Sequence, residues 1–225
     1  MAAAGKSNKS YERNRDESAA MFSNADLKRL IFPLVIEQAL ALTVGMADVM
    51  MVSYAGEAAV SGVSLVDMIN VLLINIFAAL ATGGAVVTAQ YLGARNRKKA
   101  CESADQLMVV TIVISIFIMG LTLVFQRPLL RLFFGAIEDD VMSACITYLW
   151  ISALSYPFLA VYNSCAALFR AMGNSKVSML VSLAMNVINV AGNAFFIFTF
   201  QMGVAGVATA SLISRVAACV IMVVL

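Results

Sequence analysis

Six long apolar runs divide the chain, at about residues 29–53, 60–82, 104–126, 142–168, 177–199 and 203–225. Each run is close to the roughly 20 residues that a helix needs to cross a hydrocarbon core of ~30 Å. The runs are continuous and lack the alternation of apolar and polar positions that marks a β-strand. The pattern predicts six transmembrane helices in an all-α, polytopic membrane protein.

Basic residues are distributed unevenly between the connections. If successive runs cross the membrane in turn, twelve Lys and Arg residues lie on the side of the N-terminus, and only Arg127 and Arg131 lie opposite. Because cytoplasmic connections carry an excess of Lys and Arg, this bias predicts a cytoplasmic N-terminus and an even number of spans. The twelve basic residues on the side of the N-terminus are Lys6, Lys9, Arg13, Arg15, Lys28, Arg29, Arg95, Arg97, Lys98, Lys99, Arg170 and Lys176.

Residues 1–26 are polar and mixed in charge, which predicts a disordered cytoplasmic tail rather than a signal peptide.

The composition argues against a soluble protein and against an enzyme. The chain is 62% hydrophobic and 12% charged, whereas soluble domains are about 45–50% apolar and about 25% charged. It has no histidine, the commonest general base and metal ligand. Its four cysteines lie singly among apolar residues, without C-x-x-C spacing, as expected of unpaired small core residues. We therefore expect no enzyme activity, no cofactor and no nucleic-acid partner.

Three acidic residues, Glu37, Asp48 and Asp67, lie inside apolar runs. A charge within a span costs at least about 2.5–3.5 kcal/mol and usually faces a bundle interior or a wet cavity. Glu37 and Asp48 share one face of the first helix, because eleven residues turn through about three full turns. Asp48 and Asp67 are predicted at similar depth on antiparallel helices, and we expect at least one of them to be protonated near neutral pH. Alternatively, Asp67 only anchors the outer end of its helix.

Asn186, Asn189 and Asn193 fall at i, i+3 and i+7 of the fifth run and therefore form one polar face. Two interpretations stay open for this face. The asparagines could bind the helix to a neighbouring helix, or their carbonyl oxygens could serve a hard cation or a nearby carboxyl group.

Two prolines, Pro33 and Pro157, lie inside the first and fourth runs. A proline removes a backbone donor and kinks a helix, which membrane helices tolerate where neighbours satisfy the freed carbonyl group. Both are candidate hinges, and a purely structural role stays open for each.

Four stretches, in order and spacing, cover the chain from about residue 27 to its end. They read "LIFPLVIEQALALTVGMADVMMVSYAGEAAVSGVSL", "ALATGGAVVTAQYLGARNRKKA", "LFRAMGNSK" and "NVINVAGNAFFIFTFQMGVAGVATASLISR". Together they resemble the multidrug and toxic compound extrusion (MATE) family of cation-coupled antiporters. The resemblance implies one six-helix lobe of a twelve-helix transporter whose two lobes enclose a cavity that opens alternately to either side. By the same resemblance, this chain is the N-terminal lobe.

The resemblance also implies a function and a site. Family members export amphipathic and cationic compounds in exchange for protons or sodium ions. By position in the motifs, Asp48 is the coupling acid, with Asn189, Asn193 and Asn163 as partners, and sodium would bind at Asp48 and Asn189. Some members carry a second acid where this chain has Asn193. Its absence makes Asp67 or Glu37 a candidate substitute.

Several alternatives accompany this expectation. A lipid-linked sugar flippase of the same broad superfamily would carry more cationic residues in its spans, and here only Arg215 does. An assembly subunit would pair its acids with basic residues of a partner. The chain ends inside an apolar run, so we expect either a fragment that lacks the C-terminal lobe or a half-transporter that pairs with a second copy. We expect a multi-pass protein of a bacterial cell membrane, in contact with the lipid bilayer and small-molecule substrates.

Overall fold

The computed structural model describes residues 24–225, apart from the side chains of residues 24–27, 29 and 30. The predicted tail, 1–26, lies outside the described residues except for 24–26, which begin the first helix. The part of the chain that is described contains no strand. It consists of the helices α1 Asn24–Val52, α2 Glu57–Gly93, α3 Arg97–Val124, α4 Gln126–Phe134, α5 Asp139–Leu154, α6 Tyr156–Ala171, α7 Ser175–Ala194 and α8 Gly203–Val224.

Six membrane spans follow from these helices. Five of them, α1, α2, α3, α7 and α8, are each long and apolar enough to cross a membrane, and α5 and α6 together form a sixth span bent by 49°. The predicted six-helix, all-α architecture is therefore confirmed. The short helix α4 carries Arg127 and Arg131 in the connection between the third and fourth spans.

Local chemistry explains where the helices end. Gly56 follows α1 with φ of +103° and Gly173 follows α6 with φ of +81°, and residues with a Cβ rarely adopt this conformation. The Asn96 side chain accepts a hydrogen bond from the backbone N–H of Lys99 at 3.2 Å and so caps α3. A π-helical turn, Phe195–Thr199, continues α7.

The fourth span breaks at Ser155, between α5 and α6. Pro157 lies in the first turn of α6, where an N–H would have no partner within the helix, so proline is tolerated there although it cannot continue α5. The fully buried Ser155 hydroxyl donates to the carbonyl oxygen of Ser152 at 2.6 Å. By contrast, α1 continues through the buried Pro33 as a single helix.

The lobe is built around α2 and α8. Helix α2 packs against α3, α5 and α6, while α8 packs against α5, α6 and α7. Helix α1 contacts chiefly α7. Only 6% of the residues in its membrane-spanning apolar stretch are buried inside the lobe. Many of its large side chains are exposed, among them Phe32, Leu42, Met46 and Met50.

Small residues allow the central helices to approach closely. A Cβ built at Gly62 of α2 would lie 2.7 Å from the Ala144 Cβ and 3.1 Å from the backbone nitrogen of Cys145. A Cβ at Gly192 of α7 would lie 2.9 Å from the Ala210 Cβ of α8. Close packing therefore accounts for these glycines. The four cysteines, Cys101, Cys145, Cys165 and Cys219, are free thiols.

Candidate functional site

Asp48 lies near the end of α1 and faces α7. It accepts a hydrogen bond from the side-chain nitrogen of Asn193. The Asn193 side-chain amide also donates to the side-chain oxygen of Asn189 at 3.4 Å, and the Asn189 side-chain amide donates to the hydroxyl of Ser211 on α8 at 3.0 Å. One polar network thus joins α1, α7 and α8.

The network lies within the packed part of the lobe. Asn193 is fully buried, and Asn189 and Ser211 are also buried. The side-chain oxygen of Asn193 has no hydrogen-bond partner among the described residues. A buried oxygen without a donor beside a carboxylate suits a hard cation, since sodium-like ions prefer carboxylate, carbonyl and hydroxyl oxygens.

The other two predicted partners lie differently. The Asn163 amide donates to the backbone carbonyl of Leu159 at 3.1 Å, within α6, and no hydrogen bond joins it to Asp48 in residues 31–225. Asn186 is buried on the face it shares with Asn189, and its side-chain nitrogen has no partner in the described part of the chain. The structure brings together Asp48, Asn189 and Asn193, and leaves Asn163 and Asn186 outside their network.

Glu37 forms a second polar contact between α1 and the rest of the lobe. Its carboxylate lies 3.6 Å from the Arg170 guanidinium at the end of α6 and accepts a hydrogen bond of 3.5 Å from Ser178 of α7. The buried Tyr162 of α6 lies close to this pair. Glu37 and Asp48 therefore both face α7, which agrees with their placement on one face of α1.

Asp67 of α2 lies in a third network. It accepts hydrogen bonds from the Tyr148 hydroxyl of α5 at 3.0 Å and from the Asn70 amide at 3.3 Å. Asn70 in turn accepts from the Tyr156 hydroxyl of α6 at 3.0 Å. Asp67 is near enough to Asp48 for their charges to interact.

Sequence reasoning missed the groups that surround Asp67 and the place of Arg215. Arg215 of α8 donates to the Ser155 hydroxyl at 2.6 Å, and its charge acts on both Asp48 and Asp67. Apolar patterning does not reveal which tyrosine faces which acid, since that depends on helix packing. One signal was present: Asn70 lies three residues after Asp67 and hence on the same face of α2.

Comparison with known proteins identifies the family to which the chain belongs. The MatE family model matches residues 33–195, which include Asp48, Asn189 and Asn193. The chain belongs to the MATE family. The transporter YisQ of Bacillus subtilis is 32% identical over 215 residues, which cover 93% of this chain and 45% of YisQ. The multidrug export protein MepA of Staphylococcus aureus is 24% identical over 187 residues, covering 83% of this chain and 41% of MepA.

Solved structures show the same fold as this MATE chain. The outward-facing structure of a multidrug resistance MATE family transporter of the MOP superfamily has a TM-score of 0.82 at 22% identity. The matched region covers 88% of this chain and 43% of that transporter. A MOP superfamily transporter from Pyrococcus furiosus has the same TM-score at 23% identity. The MATE chain spans somewhat less than half the length of these relatives, and its six spans form one lobe of a larger transporter fold.

Proposed function

We propose that this chain is the N-terminal lobe of a cation-coupled antiporter that exports amphipathic and cationic compounds by alternating access. The hydrogen bond from Asn193 to Asp48 carries the proposal, because it joins a loosely packed helix to the body of the lobe through an ionisable group. The family membership and the names of relatives such as the multidrug export protein MepA support the substrate class.

The position of α1 depends on polar contacts. Because so little of α1 is buried in the lobe, apolar burial holds it less firmly than it holds α2 or α8. A proton or a sodium ion at Asp48 changes the charge that faces Asn193. The contact between α1 and α7 therefore responds to the coupling ion.

Exchange requires that drug and cation favour different states of the transporter. A ligand that binds both states equally shifts nothing. In the proposed cycle, the cation stabilises the state in which the network around Asp48 is closed. The exported compound favours the state in which Asp48 is free of the cation.

The test is transport by the complete protein, as its cell makes it, in proteoliposomes. Export of a fluorescent organic cation is driven separately by a proton gradient and by a sodium gradient, and the gradient that drives it identifies the coupling ion. Asp48→Asn should abolish gradient-driven export, whereas Glu57→Gln, an exposed acid at the start of α2, should leave it intact. Full export by Asp48→Asn with unchanged ion dependence would overturn the proposal. Turnover of a lipid-linked sugar without drug export would instead indicate a flippase.

A further inference from the structure

A continuous stripe of polar side chains follows one face of α7 through most of the membrane. At about 100° per residue its members fall within an arc of about 80°, and from first to last they extend over about 27 Å. The hydrocarbon core of a bilayer is ~30 Å thick. We call this set the α7 stripe, and it consists of Ser175, Ser178, Ser182, Asn186, Asn189 and Asn193.

Every member of the α7 stripe is buried, although polar groups are costly to bury without hydrogen-bond partners. Neighbouring helices supply some partners, since Asn189 donates to Ser211 and Asn193 donates to Asp48. Three atoms, at the beginning, in the middle and at the end of the stripe, have no partner among the described residues: Ser175 Oγ, Asn186 Nδ2 and Asn193 Oδ1. Adhesion between helices would pair these atoms, so it does not account for the whole stripe.

Helix α1 faces the α7 stripe with two acids. The Ser178 hydroxyl lies 3.5 Å from the Glu37 carboxylate near one end of the stripe, and Asn193 contacts Asp48 at the other. Apolar packing of α1 between these contacts is loose, because so little of α1 is buried in the lobe. Water enters buried sites that offer it two to four polar partners. The α7 stripe offers such partners at nearly every turn.

The Glu37 end of the α7 stripe reaches the surface of the lobe where α6 ends and α7 begins. Glu37 is paired there with Arg170 at 3.6 Å, and both side chains keep part of their surface exposed. A carboxylate whose charge is balanced by a guanidinium attracts a further cation only weakly. Glu37 therefore suits the passage of a cation rather than its retention.

We propose that the α7 stripe is the hydrated route by which the coupling cation travels between Asp48 and the membrane surface at Glu37. The proposal deepens the proposed function and rests on it for the identity of the ion that travels. Side chains along the route set how fast the cation arrives and leaves. Asp48 and Asn193 set how tightly it is held.

The experiment measures whether a small aqueous cation reaches the middle of the α7 stripe. The probe is the silver ion, which is similar in size to sodium and binds thiols. Ser182→Cys is made in the complete protein with its other cysteines replaced by alanine, and silver nitrate is added to the side of the membrane that carries Glu37. Thiols that remain are labelled with a fluorescent maleimide after unfolding.

Val181→Cys is the matched control. Val181 is the neighbouring residue and is buried to the same extent, with 4% of its surface exposed against 3% for Ser182. It packs in an apolar cluster and lies outside the α7 stripe. A hydrated route predicts that Ser182→Cys reacts with silver about tenfold faster than Val181→Cys, or more. Equal rates would overturn the proposal.

Ser178→Cys, one turn nearer to the surface, should also react faster than the control. It decides the matter even if Ser182→Cys does not fold, because a slow reaction at Ser178→Cys would equally exclude a hydrated route.

Export by the complete protein then tests whether the coupling ion uses the route. Ser182→Leu places an apolar side chain in the α7 stripe and should slow export about tenfold, without a change in the cation concentration for half-maximal export. Val181→Leu adds bulk to the apolar cluster and should stay close to the wild type. Export by Ser182→Leu at the rate of the wild type would overturn the proposal. The silver reaction does not depend on transport, so export by Asp48→Asn would refute the antiporter function without changing the reactivity of the stripe.

Discussion

The carboxylate of Glu37 lies 3.6 Å from the guanidinium of Arg170, and this pair joins the middle of α1 to the end of α6. Further along α1, Asp48 meets Asn193 of α7. Helix α1 is thus attached to its lobe at two levels by charged or strongly polar groups, with little apolar burial between them.

The Glu37–Arg170 pair should contribute only modestly to stability. The two side chains keep 15% and 25% of their surface exposed, and their separation of 3.6 Å is too long for a charge-assisted hydrogen bond. We therefore expect about 0.2–1 kcal/mol, the range of exposed pairs. A double-mutant cycle with Glu37→Gln and Arg170→Met, measured by denaturant unfolding in detergent, should give a coupling energy in this range. A coupling energy above about 3 kcal/mol, as found for fully buried pairs, would contradict the prediction.

Asn193→Ala should change the cation dependence of export in a direction that identifies the ion. If export is coupled to protons, loss of the hydrogen-bond donor to ionised Asp48 makes Asp48 easier to protonate. Half-maximal export is then reached at a proton concentration about tenfold lower. If sodium couples, loss of the unpaired Asn193 oxygen removes a ligand, and more sodium is needed. Export assays over a range of pH and sodium concentration measure both.

Asn186→Ala is the matched control for this change. Asn186 lies on the same helix and is also buried, but its side-chain nitrogen has no partner among the described residues. It should leave the cation dependence near that of the wild type. An equal shift in both variants would mean that helix packing, rather than contact with Asp48, governs the dependence.

Two glycines of α2 should respond oppositely to alanine. Gly62→Ala should destabilise the protein by about 1–3 kcal/mol, because the new methyl group would meet the backbone nitrogen of Cys145 at 3.1 Å. Gly83 has no atom within 4 Å of an added Cβ, so Gly83→Ala should stabilise α2 by about 0.5–1 kcal/mol. Thermal unfolding of the purified variants measures both, and a neutral Gly62→Ala would contradict the close helix contact.

The N-terminus should lie in the cytoplasm, as the distribution of basic residues predicts. Cys101, exposed near the start of α3, should then react with a membrane-impermeant maleimide in inverted vesicles but not in intact cells. The other cysteines are replaced by alanine in this assay. A Tyr54→Cys variant without Cys101 probes the opposite side of the membrane, since Tyr54 follows α1 and is exposed. This cysteine should react with the maleimide in intact cells but not in inverted vesicles. Labelling of Cys101 from outside would reverse the topology.

Much of the fold was predictable because membrane helices have a strong local signal. Runs of about 20 apolar residues fix the number of spans, and a proline such as Pro157 indicates where a span can break. The face shared by Asn189 and Asn193 followed from helical periodicity alone. These features depend only on residues close together in the sequence.

The partners of each acid were harder to predict, because they depend on how distant helices pack. Nothing near Arg215 in the sequence indicates that it contacts Ser155, sixty residues away. Likewise, Tyr148 reaches Asp67 only because α5 packs on α2. Arg215, whose charge acts on Asp48 and Asp67, lies on a helix that comes much later in the chain. The coupling role of the predicted site residues stays a prediction.

The length of α2 has a consequence for the surface of the membrane. Its 37 residues extend over about 55 Å, whereas the hydrocarbon core is ~30 Å thick. Even a tilt of about 40°, the upper end of the usual range, leaves more than one turn outside the core. The following basic residues, Arg95, Arg97, Lys98 and Lys99, therefore lie at or beyond the level of the lipid headgroups. There they form a positively charged rim that anionic lipids attract, so the lipid composition of that leaflet helps to set the depth of the whole lobe.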